Sequence, residues 1–407
     1  MNYISLFSSA GVGCFGFKEE GFDCVASSEL VKRRLEVQKA NNKVKYDNGY
    51  ILGDISKQEK KEELYEAIKY YKEQENVEDI DALIFTAPCQ GMSVANHKKN
   101  DGTIEKNSLV IEALEIIKEV KPVFFIAENV RSFMNTNCID HNNEKKIRNA
   151  FSDWLSTDYS YKEFIINFKD YGANSSRTRT LVIGTRKDRY NSDIINELLP
   201  SKEKPKTLRE VIGFLPHLSK MGEMSDNDIY HNFKPYKEYM RQWIENLSEG
   251  QSAFDNKEIN LKPHKIVNGE IILNVNKNGD KYKRQSWDKV APCVHTRNDI
   301  ISSQNTVHPE DDRVFSIREL MLMMNIPKEF QWSKNYTLDE LNKLPLIKKK
   351  DYLKKHEINI RQSIGEAIPT IILQKIASNI KNIVKEEKIE QNSKKTENTN
   401  EQLQFVL

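Results

Sequence analysis

Asp81-Ala-Leu-Ile-Phe-Thr-Ala-Pro-Cys89-Gln-Gly-Met-Ser93 is a short apolar run that ends on a cysteine, and its reading decides the fold. Further on, Val123-Phe-Phe-Ile-Ala127 delivers Glu128-Asn129-Val130 in the same manner. β-rich runs closed by a polar residue predict buried strands of an α/β sheet, with ligands beyond their carboxyl ends. Cys89 and Glu128 are therefore expected on one rim of one sheet. A thiol beside a carboxylic acid suits covalent attack on an electron-poor ring, the acid handling the proton.

Working outward, the same alternation continues. Ile4–Phe7 predicts a first strand, and Ser8-Ser-Ala-Gly-Val-Gly-Cys-Phe-Gly16 a turn that opens a helix. Cys24–Ser28 predicts a second strand ending at Glu29, and Gly49–Leu52 a third ending at Gly53-Asp54. Helices are predicted over Arg33–Lys39 and Lys57–Glu75. Leu109, Ala113, Ile116, Ile117 and Val120 recur at helical spacing until Lys121-Pro122 closes the run. Phe164–Phe168 and Thr180–Gly184 read as a strand pair around Tyr171-Gly-Ala-Asn-Ser-Ser-Arg-Thr-Arg179. The pattern predicts an α/β fold with a doubly wound, Rossmann-like sheet and a smaller second domain.

The first turn lies where such folds bind a cofactor. Gly11, Gly13 and Gly16 satisfy G-x-G-x-x-G, a string that a tight packing turn explains equally well. Glu29 is placed for ribose hydroxyls and Asp54 for an adenine amino group. Acids at both strand ends favour an adenosine ligand over a phosphate-rich one. Cys89 follows Pro88 at a strand exit, whereas Pro292-Cys293 has neither that context nor a downstream acid. Arg177 and Arg179 alternate at a strand entrance, and their forked guanidiniums suit phosphate or a base carbonyl.

Bulk properties exclude more than they assign. The chain has 407 residues, 30% of them charged, and a formal net charge of only +2, so any nucleic-acid surface must come from local clustering. Mean hydropathy is −0.67 and no stretch is long and apolar enough to span a bilayer, so no membrane association is expected. The first residues lack the basic region and apolar core of a signal peptide. Five cysteines without a C-x-x-C pair fit a reducing cytoplasm and predict no metal site. After Arg186 the sequence becomes polar and less periodic. Tyr236, Met240, Trp243, Ile244 and Leu247 share a helical face read as core packing, and Lys385–Gln402 reads as a disordered tail.

Taken together, these blocks resemble the DNA (cytosine-5) methyltransferases of bacterial restriction-modification systems, in the family's order from Ile4 to about Ile380. The matching blocks are Ser5–Val12, Ala87–Ser93, Glu128–Val130, Tyr171–Arg179, Arg313–Leu320 and Gln362–Pro369. Departures are Ser9 and Val12 in the first turn, Asn174-Ser175 ahead of the arginines, and Gly365-Glu-Ala-Ile368 in the last block.

The resemblance implies a Rossmann-like S-adenosylmethionine-dependent domain over 1–188 and a target recognition domain over 189–335. A linker and returning C-terminal helix would follow over 336–384, and a tail over 385–407. It implies a catalytic set of Cys89, Glu128, Arg177 and Arg179. S-adenosylmethionine would be seated by Phe7, Ser9, Ala10, Gly11, Glu29, Leu30, Asp54, Ile55, Pro88, Leu109, Glu366 and Ala367. Gln90, Ser93, Lys281, Lys283 and Arg284 would contact double-stranded DNA, with the target cytosine flipped out of the stack. A monomer is expected, either paired with a restriction endonuclease or acting as an orphan methyltransferase. The competing readings are an RNA cytosine-5 methyltransferase of the same fold, a non-catalytic DNA-binding regulator, and a nicotinamide-dependent oxidoreductase suggested by the glycine string.

Overall fold

The structure is a computed structural model that describes residues 1–88, 107–275 and 279–404, with backbone only at 388 and 390–404. Cys89, Gln90 and Ser93 lie outside the described residues.

The strands in chain order are β1 (Asn2–Leu6), β2 (Asp23–Glu29), β3 (Tyr50–Leu52), β4 (Ala82–Phe85), β5 (Phe124–Val130), β6 (Asn137–Asp140), β7 (Asn143–Lys146), β8 (Tyr159–Asn167) and β9 (Thr178–Arg186). Seven of them form one sheet in the order β3-β2-β1-β4-β5-β9-β8. The first five run parallel, while β9 pairs antiparallel with both β5 and β8.

Both faces of the sheet are covered, and the sequence shows why. In β4 and β5 every residue from Ala82 to Phe85 and from Phe124 to Ala127 is buried, but successive residues serve opposite sides. Leu83, Phe85, Phe125 and Ala127 join Leu64, Ile68, Leu114, Ile117 and Phe151 in one core. Ala82, Ile84, Phe124 and Ile126 join Phe17, Ile195, Ile372, Ile376 and Ile380 in the other. A continuous apolar run thus marks a strand buried on two faces.

The strand order reverses between β1 and β4, which places a crevice outside their carboxyl ends. The turn after β1 and the exit of β4 meet there: Thr86 Oγ1 donates to the Phe7 carbonyl at 2.9 Å. The helix Phe15–Glu19 that follows the turn lies against the helix Thr370–Gln404. Gly16 makes that approach possible, because a Cβ there would run into the Thr370 carbonyl and the Gln374 amide.

The chain from Leu208 onward builds two more apolar clusters. One joins Ile212, Trp287, Phe315, Leu320, Met324, Ile360 and Ile364 to Ala10 and Val12 of the first turn. The other gathers Leu218, Phe233, Trp243, Ile244, Leu247, Tyr282 and Val307. The helix is limited to Glu238–Gln242, yet Trp243, Ile244 and Leu247 are core residues as their spacing implies. The segment expected to link the recognition region to the last helix itself holds the helix Leu346–Glu366. The backbone is helical through Gln404, across a stretch whose composition predicts disorder. Lys, Glu and Gln are good helix formers, and propagation from an already packed helix needs no new nucleus.

Candidate active site

The first turn is held in an unusual backbone shape. Phe7 and Ser9 have φ of 56° and 47°, and Gly11 has 80°. Left-handed backbone is costly for residues with a Cβ, so something must hold it. The restraints come from α/β neighbours that sequence reading did not single out. Gln38 Nε2 donates to the Ser9 carbonyl at 2.7 Å, Ser27 Oγ donates to Gln38 Oε1 at 2.6 Å, and Lys43 Nζ donates to Ser27 Oγ at 2.8 Å. Gln38 and Ser27 are fully buried, so this chain of bonds is protected from water.

The turn faces the end of the helix Leu346–Glu366. Ser9 Oγ donates to Glu366 Oε2 at 3.1 Å, and Arg34 bonds Glu366 Oε1 at 2.6 Å. Arg34 also lies 3.7 Å from Glu29 Oε1, which accepts from the Val31 amide at 2.8 Å. Ser5, Leu6, Ser9, Ala10, Thr86, Glu366 and Ala367 line one narrow pocket. The expected cofactor residues Ser9, Ala10, Glu366 and Ala367 therefore converge, although they come from opposite ends of the chain.

The remaining expected cofactor residues are placed less uniformly. Glu29 is buried at the end of β2, next to exposed Leu30. The Gly53 amide donates to the Glu29 carbonyl, which brings the end of β3 alongside. Asp54 is exposed, and its Oδ1 accepts from the Ser56 amide and hydroxyl. The Ile55 side chain is 2% exposed and packs in the sheet core, which leaves only its backbone to meet a ligand. Pro88 and Leu109 are half-buried at the end of the β4 exit and the start of the helix Leu109–Val120.

The acid arrives as expected. Glu128 sits on β5 one strand from β4, 7% exposed, with Oε1 3.2 Å from Arg179 Nε. Among the described residues Glu128 Oε1 has no well-aligned hydrogen-bond donor. Burial raises the Glu128 pKa, and the positive charges of Arg179 and Arg177 oppose that rise. A buried carboxyl that tends to keep its proton, with a free acceptor or donor position, is poised to bond a ligand. Asn129 Nδ2 donates to the Ala87 carbonyl at 2.9 Å, fixing the β4 exit from which Cys89 follows.

The two arginines divide their tasks. Arg179 pairs with Glu128, and its Nη1 caps the Thr178 carbonyl. Arg177 acts on Glu128 through its charge but directs its hydrogen bonds elsewhere. Its guanidinium is buried and donates to the Val294 and Gly365 carbonyls, both at 3.1 Å. Carbonyls from two distant segments share its Nη1, which ties them together, while its buried Nε has no partner among the described residues. Cys293 lies at 3.9 Å from Arg177, consistent with a structural place.

Arg284 is a correction. It is 3% exposed, paired with Asp312 and bonded to the Ile244 and Glu310 carbonyls, so it cannot meet a phosphate. Strand-like alternation turns Arg284 inward, while Lys281 is exposed and Lys283 half-buried. Among the described residues there is no group of acidic, His and Cys side chains able to hold a metal ion.

Fold and site together define a doubly wound α/β methyltransferase. The chain belongs to the family of C-5 cytosine-specific DNA methylases, whose pattern it matches over residues 1–382, and it is a DNA cytosine-5 methyltransferase. The Type II methyltransferase M1.HgaI of Avibacterium volantium is 29% identical over 394 residues, covering 93% of this chain and 98% of that protein. The Type II methyltransferase M1.HphI of Haemophilus parahaemolyticus is 25% identical over 380 residues, covering 93% and 86% respectively. In fold, the S. pombe Dnmt2 methyltransferase matches with a TM-score of 0.56 at 12% identity, over 94% of this chain and 99% of that one.

Proposed function

We propose that the chain is the modification enzyme of a restriction-modification system, methylating one short duplex site with Cys89 as nucleophile and Glu128 as acid. Buried Glu128 beside Arg179, on the strand next to the β4 exit that leads to Cys89, carries this reading. Cytosine carbon-5 is a poor nucleophile until electrons are pushed into the ring. Addition of the Cys89 thiolate to carbon-6 does so, while Glu128 donates a hydrogen bond or a proton to nitrogen-3 and spreads the charge. Arg179 then holds Glu128 in place and offers its remaining guanidinium edge to the base carbonyl. Loss of the carbon-5 proton to a base, water included, lets Cys89 leave. A stacked cytosine cannot meet this geometry, so the base must turn out of the duplex.

The residues around the first turn fit S-adenosylmethionine, which when bound supplies an electrophilic methyl group. Glu29 is a buried carboxylate at the end of β2, suited to ribose hydroxyls. Leu30 presents an exposed apolar surface beside it for a purine ring, and Asp54 an exposed carboxylate beyond that. The segment 189–335 is the proposed target recognition region, with Lys281 and Lys283 near phosphates. We place the enzyme in the cytoplasm as a monomer. No described helix is long and apolar enough to cross a membrane.

The test is transfer of a tritiated methyl group from S-adenosylmethionine to duplex DNA and, in parallel, to transfer RNA. Label should enter DNA with the wild type and fail to enter with Cys89→Ala, which should still bind DNA. Label in RNA alone would overturn the substrate assignment, and turnover by Cys89→Ala would overturn the nucleophile.

A further inference from the structure

Between the strands His264–Val267 and Glu270–Leu273 lies a two-residue Asn268-Gly269 turn, with φ of 53° and 85° at those residues. Such turns make stiff hairpins. The pairing His264↔Leu273, Lys265↔Ile272, Ile266↔Ile271 and Val267↔Glu270 places Ile266, Ile271 and Leu273 on one face. Lys265, Val267, Ile272 and Glu270 take the other. Ile266 is 70% exposed, Ile272 52% and Val275 70%. An isolated two-stranded ribbon is marginal in water, and apolar side chains on both its faces make it more so.

We infer that this hairpin inserts into the major groove of the substrate duplex and reads methyl groups on base edges there. The inference rests on the DNA-methylating reading above. Two observations favour a groove over a protein partner. Every residue from Lys265 to Leu273 is exposed, on both faces, and a groove encloses a ribbon on two sides where a protein surface would cover one. The flanks are basic: Lys262 and Lys265 on one arm, Lys281 and Lys283 on the return, suited to the phosphates along a groove. The ribbon is also tied at its root to the body of the protein. Its base is anchored by His264 against Trp243, with ring centroids 5.4 Å apart.

Thymine carries a methyl group in the major groove, and branched apolar side chains are its complement. The experiment uses full-length protein and duplexes carrying its mapped site, with thymines or with deoxyuridines, which lack that methyl. Wild type should bind the deoxyuridine duplex about fourfold more weakly for each contacted methyl removed. Ile266→Ser and Ile271→Ser should bind the thymine duplex at least that much more weakly and lose the difference between the two duplexes. Their S-adenosylmethionine affinity and melting temperature should match wild type, since both positions are exposed. Equal wild-type affinity for the two duplexes would overturn the inference. So would serine variants that keep wild-type DNA affinity, including variants whose only change is from dimer to monomer. A wild type that methylates no duplex at all would instead defeat the underlying reading.

Discussion

Arg179 Nε stands 3.2 Å from Glu128 Oε1, and the two residues belong to adjacent antiparallel strands, β9 and β5. Sheet register, not loop conformation, therefore sets the position of the acid. Burial raises the Glu128 pKa, and the cation beside it moderates that rise.

Replacing Glu128 with Gln keeps the shape and an amide donor but removes the transferable proton. Methyl transfer should fall about 100-fold or more, in the range typical of a lost acid. Thermal melting should show no loss of stability, because a buried ionisable group has been removed. Single-turnover methylation and calorimetry on the same preparation check both halves.

Arg177 should behave differently. Arg177→Ala strands the buried Val294 and Gly365 carbonyls that the guanidinium now satisfies. A loss of about 2–5 kcal/mol is expected from such unpaired groups. Urea denaturation should show it, whereas Arg179→Ala should cost activity before stability.

Gly365 lies where the helix Leu346–Glu366 passes the His295 backbone, and a Cβ there would collide with the His295 carbonyl. Gly365→Ala should destabilise by about 1–3 kcal/mol, as overpacking does. Because Glu366 follows immediately and bonds Ser9 and Arg34, the same variant should also weaken S-adenosylmethionine binding. Isothermal titration measures that directly.

A buried charge cluster predicts acid sensitivity. Arg313 bonds both oxygens of Glu319 at 2.8 Å and lies 2.7 Å from Asp311, with His308 packed alongside. Burial pushes His308 down to about 4, and its Nδ1 already accepts from the Asp311 amide at 2.9 Å. A histidine depressed in the folded state stabilises above its unfolded pKa, near 6.5, and loses that contribution as pH falls towards 4. The full swing is roughly 3 kcal/mol at one pH unit per 1.4 kcal/mol. Glu319 and Asp311, also held low, add to the loss at still lower pH. Urea midpoints between pH 7 and pH 4 should fall for wild type and fall less for His308→Asn.

Much of the fold was legible because buried strands announce themselves. Val123–Ala127 is apolar throughout since both of its faces are covered, and the acid that ends it could only lie at the rim. Glu29 and the glycine turn were readable for the same reason. Asp54 is exposed beyond the strand end while the side chain of Ile55 folds back into the core, a difference that no local pattern shows. Arg177 and Arg284 look like ligand-binding cations in sequence, and nothing local reveals carbonyls supplied from Val294, Gly365, Ile244 and Glu310. Gln38 and Lys43, which hold the first turn, sit in a helix and a loop that carry no motif. Long-range partners of polar side chains are the information a one-dimensional pattern lacks.

The most direct measurement is a base-resolution map of 5-methylcytosine in the genome of a methylation-free bacterial host expressing the protein. The account predicts one short recurring site, methylated by wild type and unmethylated when Glu128→Gln or Cys89→Ala is expressed at equal level. Soluble wild-type protein that binds S-adenosylmethionine yet leaves no 5-methylcytosine in the genome would contradict it.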